Sequence, residues 1–208
     1  MSLQAAEPRL VLASASASRR ALLAGAGLVF EARPAAVDEA EIKLAAQAEG
    51  LPAGEAALLL AAAKAERVAR RDPEALVIGC DQLLVCPAEP GGVWFDKPAD
   101  LAGAADHLRA LSGQAHVLET ATVAWRGGRQ VWQHLERPRL VMRPLSQAFI
   151  DAYLALEGEA VLGSVGAYRL EGPGAQLFER VEGEHSAILG LPLLPLFGFL
   201  RQHGVLLA

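Results

Sequence analysis

Leu76-Val-Ile-Gly-Cys-Asp-Gln82 is the stretch from which the rest of the chain can be organised. Its first five residues are apolar or small and describe the core of a buried strand within Ala75 to Val85 that runs straight into Asp81-Gln82. Asp81 follows at once and is expected at the strand's C-terminal end, where α/β sheets commonly carry their chemistry. A carboxylate in that position needs solvent, a cation or a hydrogen-bond partner.

Upstream, Glu55 to Arg71 reads as a helix with an acidic start, an Ala/Leu-rich middle and arginines in its last turns. Lys64 falls in this helix after Ala61-Ala-Ala63, in apolar surroundings. Nearer the N-terminus, Arg9-Leu-Val-Leu-Ala13 predicts a short strand. Ser14-Ala-Ser-Ala-Ser18 predicts a loop, and Arg19 to Gly27 a short helix with serine caps and glycine stops. Val29 to Val37 reads as extended and leads to the acidic pair Asp38-Glu39 on a loop.

Downstream, a Pro/Gly loop from Pro87 to Gly92 precedes Phe95-Asp-Lys-Pro98, and Ala99 to Leu111 reads as a helix. His116 to Trp125 and Gln130 to Glu136 flank Gly127-Gly128 as a hairpin. Leu140 to Met142 is a further strand. Ser146 caps a helix to about Leu156, which Gly158 stops. The last third reads as Gly-rich turns with strands around Ala167 to Leu170 and Ala175 to Val181, then a helix from near Leu191-Pro192. Strands alternating with helices, plus one hairpin, give an α/β class with a mixed sheet. No internal repeat or linker divides the chain, so residues 1–208 read as a single domain.

The 208 residues carry 19 basic and 24 acidic side chains, and 52% are apolar although only 5% are aromatic. That apolar share argues against disorder, and the net charge of -5 argues against a generally basic nucleic-acid surface while leaving room for a local cationic pocket. Cys80 and Cys86 fit neither a disulfide framework nor a zinc knuckle and read as small buried hydrophobes. Leu10 to Ala17 lacks the basic start of an export signal, and Ala187 to Leu200 is short and interrupted by Gly and Pro. The expectation is a soluble cytoplasmic protein with no membrane partner.

Ser14, Ser16 and Ser18 followed by Arg19-Arg20 place hydroxyls, backbone N–H groups and guanidinium at one helix start, an arrangement that suits phosphate. Asp38 and Glu39 suit a hard divalent cation that keeps several waters. Singly, each of these charges reads as solvated or structural. Together with Asp81, Lys64 and Lys97 they describe a site for a polyphosphate with Mg2+. The chain has no Walker loop, no dinucleotide fingerprint, no H-E-x-x-H and no G-x-S-x-G elbow. None of its five histidines has metal-ligand spacing to another, and His116 reads as a structural hydrogen-bonder.

Several blocks in order, over nearly the whole length, resemble the Maf family of nucleoside triphosphate pyrophosphatases. They include Leu12-Ala-Ser-Ala-Ser16 with Arg19-Arg20, Val37-Asp-Glu39, Ala63-Lys-Ala65, Ile78-Gly-Cys-Asp-Gln82 and Lys97-Pro98. They continue with Leu111-Ser-Gly113, Gly166-Ala-Tyr168, Glu171-Gly172, Val181-Glu-Gly183 and Gly190-Leu-Pro192. The resemblance implies a mixed, bent β-sheet flanked by helices, with two lobes around a nucleotide cleft, often as a homodimer. It implies hydrolysis of a nucleoside triphosphate between the α- and β-phosphates with a divalent cation, Mg2+ first, Mn2+ or Co2+ as alternatives.

By position, Asp81 corresponds to the family's proton acceptor and Glu39 to its acidic residue linked to metal and activity, so Glu39 and Asp81 are the implied metal ligands. Lys64 joins them as a catalytic candidate, and Arg19 and Lys97, with Ser14 and Ser16, as substrate-binding ones. Three positions that separate the family's subgroups correspond to Ser18, Gln82 and Glu171. The dTTP/UTP subgroup carries Arg, Thr and Gln there, and the 7-methyl-GTP subgroup Trp, Gln and Glu. Gln82 and Glu171 side with 7-methyl-GTP, and Ser18 with neither. Gly163-Ser-Val165 also departs from the Asp-Lys-Ala of many relatives. The expected substrate is one nucleoside triphosphate at a time and no nucleic-acid polymer. The competing readings are a non-catalytic nucleotide-binding regulator of cell division and a nucleotide sensor without turnover.

Overall fold

The computed structural model describes residues 3–86 and 92–207. Most of the loop expected from Pro87 to Gly92 therefore lies outside the described residues. Among those described, eight strands form one mixed sheet accompanied by seven α-helices. The strands are β1 (Leu10–Leu12), β2 (Glu31–Ala32), β3 (Leu76–Cys86), β4 (Val93–Phe95), β5 (Ala115–Arg126), β6 (Arg129–Glu136), β7 (Arg139–Met142) and β8 (Phe178–Glu182). The helices are α1 (Ala17–Gly25), α2 (Glu39–Ala48), α3 (Ala53–Ala69), α4 (Leu101–Leu111), α5 (Gln147–Glu157), α6 (His185–Ile188) and α7 (Leu193–Gln202). The sheet order is β2-β1-β3-β5-β7-β8, with β4 paired to β3 and β6 to β5. β1 runs parallel to both β2 and β3, while the hairpin β5–β6 and the pairs β3–β4, β5–β7 and β7–β8 are antiparallel.

By internal contacts the chain forms two units. The first comprises Met1–Asp81, Thr120–Glu136 and His185–Ala208. Its core shows why β3 must be apolar. Leu76, Ile78 and Cys80 alternate toward a cluster that includes Leu10, Leu12, Leu23, Leu191, Leu196, Phe199 and Leu200. Trp132 of β6 stacks on Phe199 with ring centroids 5.0 Å apart. The intervening residues of β3 point the other way, toward α3. There Ala57, Ala61, Lys64, Ala65 and Val68 are buried at helical spacing. Gly79 lies directly against that helix: a Cβ in its place would collide with the Ala61 carbonyl oxygen and stand 2.8 Å from the Ala65 Cβ. Small residues on both sides let strand and helix approach this closely.

The second unit comprises Gln82–Glu119 and Arg137–Glu184. In it α4 packs on α5 and on two short 3-10 turns, Gly158–Gly163 and Val165–Ala167, while a third, Pro173–Leu177, packs on α5. Buried His116 of β5 bonds through Nε2 to the Tyr168 hydroxyl at 2.9 Å, and Tyr168 meets Phe178 edge-on at 4.9 Å. Burial pushes the His116 imidazole down to about 4 and the Tyr168 phenol upward. His116 is thus a neutral core residue, in line with its structural reading.

Several local expectations are corrected. Asp38-Glu39 is not on a loop: Asp38 caps α2, its carboxylate accepting from Glu41 N at 3.0 Å. Asp81 does not end its strand, because β3 continues to Cys86. No strand forms at Ala167 to Leu170, where positive φ at Gly166 (76°) and Ala167 (59°) breaks the extended path. The strand expected from Ala175 starts only at Phe178, and the four-residue α6 was not anticipated. Among the described residues no helix is long and apolar enough to cross a membrane.

Candidate active site

Three side chains from three elements of the first unit meet at one ammonium. Lys64 Nζ lies 2.5 Å from Asp81 Oδ1 and 2.8 Å from Glu39 Oε1. The Lys64 and Asp81 side chains are only 10% and 7% exposed, whereas Glu39 is 47% exposed. Each placement has a local cause. Asp81 shares the face of β3 with Gly79, two residues earlier, so it looks toward α3. Lys64 is on the buried stripe of α3, three residues beyond Ala61. Glu39 is the first residue of α2, which packs on α3, and Asp38 fixes where that helix begins. A buried Lys-Asp pair alone would be neutral; Glu39 leaves the group with a formal charge of -1 on its exposed side.

The Ser/Arg segment adjoins this group through the backbone. Beyond β1, Ala13 N bonds to the Ile78 carbonyl at 2.8 Å, carrying the pairing with β3 one residue past the strand. Ser14 is buried and its hydroxyl accepts from Ser16 N; Ser16 caps α1, accepting from Arg19 N at 3.4 Å. Arg19 donates from Nε to the Gly190 carbonyl at 2.8 Å and from Nη1 to the Cys80 carbonyl at 3.0 Å and to Ser14 Oγ at 3.3 Å. Sequence reasoning missed this bracing role. It also missed Gly190, whose φ of 96° no other residue adopts easily and whose missing Cβ would stand 3.0 Å from Arg19 Nε. Burial raises the Cys80 thiol, with the Arg19 charge acting in the opposite direction, so the neighbouring sulfur stays protonated. Both cysteines are free and buried.

Ser14, Ser16, Arg19, Glu39, Lys64 and Asp81 are thus all in the first unit, with Ser18 half-buried in the first turn of α1. Gln82, Lys97 and Glu171 are in the second. Gln82 is half-buried on β3 directly after Asp81, and Lys97 is exposed between β4 and α4. Glu171 Oε1 stands 3.5 Å from Arg169 Nε.

Among the described residues no group of three or more His, Cys, Asp and Glu side chains could hold a metal ion. Glu39 and Asp81 both converge on the Lys64 ammonium, and carboxylate oxygens of this kind are the ligand type that a hard divalent ion keeping most of its waters would take.

A mixed α/β sheet bearing a lysine-bridged carboxylate pair beside a serine/arginine helix start defines a class of proteins built to handle phosphate groups. The chain belongs to the Maf-like protein family, whose pattern it matches over residues 9–203. It is 55% identical over 198 residues to a nucleoside triphosphate pyrophosphatase of Granulibacter bethesdensis, covering 95% of this chain and 98% of that one. A nucleoside triphosphate pyrophosphatase of Hyphomonas neptunium is 52% identical over 197 residues, 95% of this chain and 97% of its own. A 7-methyl-GTP pyrophosphatase of Rhizobium meliloti is 50% identical over 200 residues, 96% of this chain and 98% of its own.

Proposed function

We propose that this protein hydrolyses a nucleoside triphosphate at the α–β linkage, releasing nucleoside monophosphate and pyrophosphate. The observation that carries the reading is the Lys64 ammonium shared by Asp81 and Glu39. Family membership and the activities for which relatives at 50–55% identity are named support the same reaction.

In this reading a water oxygen bonds to phosphorus while the bond to the α–β bridging oxygen breaks, and the leaving phosphate group keeps the bonding electrons. Asp81 takes the proton of the attacking water. Lys64 holds the Asp81 carboxylate in place and adds positive charge where negative charge develops. Glu39 and Asp81 would hold a divalent cation, Mg2+ first and Mn2+ or Co2+ as alternatives; when bound it neutralises the polyphosphate and acidifies a water. Ser14, Ser16, Arg19 and Lys97 bind the phosphates, with Arg19 also fixing the backbone next to Asp81. Residues 1–208 act as a single catalytic domain, in the cytoplasm and as a homodimer.

Ser18, Gln82 and Glu171 set the choice of base. A carboxylate at 171 accepts the adjacent N1–H and N2–H donors of guanine as a pair, whereas uracil offers one N–H between two carbonyls. Three relatives at 48–50% identity carry the name 7-methyl-GTP pyrophosphatase, which agrees with a guanine preference. The deciding experiment measures pyrophosphate release from 7-methyl-GTP, GTP, UTP and dTTP with Mg2+. Turnover with a guanine nucleotide preferred is expected. Triphosphate binding without turnover of any of the four would overturn the enzyme reading in favour of a sensor or regulator.

A further inference from the structure

The geometry assigns to Arg169 the task of positioning Glu171, which makes Arg169 a specificity-determining residue one step removed from the base. This rests on the proposed role of Glu171 in base choice. Two acids bracket the guanidinium within the second unit. Arg169 Nη1 bonds to Glu157 Oε2 at 3.2 Å, and Nε lies 3.5 Å from Glu171 Oε1. The Glu157 side chain is only 6% exposed, whereas Arg169 and Glu171 are 36% and 31% exposed. The three therefore form a chain running from the interior to the surface.

Glu157 is an unfavourable residue where it stands. It is the last residue of α5, where the helix dipole disfavours a negative charge, and it is removed from water. Arg169 is the cation that compensates it. The buried Glu157 carboxylate in turn holds the guanidinium through Nη1, so its Nε faces Glu171 from an anchored position.

The backbone repeats the constraint. Gly172 N bonds to the Arg169 carbonyl at 3.2 Å, closing a turn with Leu170 and Glu171 at its centre. A Cβ on Gly172 would stand 3.5 Å from Glu157 Oε1, and one on Gly174 would stand 2.8 Å from Arg169 N. Arg169 thus opens the turn with its carbonyl and restrains the Glu171 side chain with its guanidinium. A carboxylate restrained on one side in this way presents its oxygens in a set direction to an incoming pair of N–H donors. A long side chain left to rotate would discriminate less well between bases.

The test compares kcat/KM for GTP and 7-methyl-GTP against UTP in the intact enzyme, R169Q, R169K, E157Q, E171Q and the double variant R169Q/E171Q. R169Q is expected to lower the guanine-to-uracil ratio by about tenfold, chiefly through KM for the guanine nucleotides. R169K should recover part of the ratio, and E157Q should lower it less than R169Q. In the E171Q background R169Q should leave the ratio unchanged, because its effect passes through Glu171. Equal loss with all three nucleotides, or an R169Q effect that persists undiminished in E171Q, would overturn the assignment and leave a structural role. If E171Q itself leaves the ratio unchanged, the base-choice reading of Glu171 fails first and is recognisable as such.

Discussion

Arg19 Nη1 donates to the carbonyl oxygen of Cys80, the residue immediately before Asp81, at 3.0 Å. The same guanidinium holds the Gly190 carbonyl through Nε, so one side chain ties α1, β3 and the turn before α7 together. A lysine has no planar fork and cannot make both bonds in these directions. R19K should lower kcat/KM by at least about tenfold through displacement of Asp81 as well as weaker phosphate binding. Pyrophosphate-release kinetics, with thermal melting in parallel, check this; unchanged kinetics would remove the brace from the mechanism.

Asp81→Asn keeps the shape of the side chain and removes the carboxylate proposed to accept the water proton. Turnover should fall by about a hundredfold or more, and by much more than triphosphate affinity. Equal losses in turnover and affinity, measured by rapid-quench kinetics and calorimetry, would contradict the role as base.

Lys64→Met leaves Asp81 buried without its ammonium. Removing one partner from a buried ion pair typically costs about 3–5 kcal/mol, and urea denaturation should show a loss of that order. Adding Asp81→Asn to Lys64→Met should restore part of the stability but none of the activity, separating the fold's requirement from the reaction's.

Gly79→Ala adds a methyl group where α3 has no room for one. Overpacking of this kind costs about 1–3 kcal/mol. The helix must also move relative to β3, which displaces Lys64 from Asp81. Both the denaturation midpoint and kcat are therefore expected to drop, although the substituted residue touches no substrate.

Acid should destabilise the protein in two windows. His116 is neutral in the fold with its imidazole held down to about 4, against an ordinary value near 6.5. Its contribution, up to about 3 kcal/mol, is complete above pH 6.5 and is lost as the pH falls toward 4, since the unfolded chain binds the proton more readily. The Asp72 carboxyl is lowered in the fold: burial acts to raise it, but the hydrogen bond from Arg33 and the charges of Arg9 and Arg33 prevail. Its contribution is present above the ordinary carboxylate range and disappears below it. Urea denaturation between pH 7 and 5 should therefore show a slope that His116→Gln flattens and Asp72→Asn does not.

The elements legible in the sequence are those with a local physical signature. The hairpin turn at Gly127-Gly128 requires positive φ at both residues, 58° and 77°, and two glycines announce it. Ser16, Asp100 and Ser146 cap helices as their side chains suggest. The start of α2 carried its own mark, Asp38 followed three residues on by Glu41, but an extended reading of the preceding segment ran past it. Residues 158–177 have no period to read, because short 3-10 turns bury side chains without repeating.

At the site, the residue types were visible but not the partners. Asp81 seemed to need a strand end only because its ammonium comes from 17 residues earlier, across a helix–strand contact made possible by Gly79. With that ammonium in place a charged residue can occupy the middle of β3. Arg169 carried no signal by itself, since its meaning lies in Glu157 and Glu171 on either side of it.

β3 changes unit between Asp81 and Gln82. On the roles proposed above, the hydrolytic carboxylate and the first of the base-reading side chains are separated by a single peptide bond, yet each is supported by a different core. Gln82 and Glu171 thus belong to one unit, and Lys64 and Glu39 to the other. A lineage can therefore explore new nucleotides by point substitution without dismantling the apparatus that cleaves them.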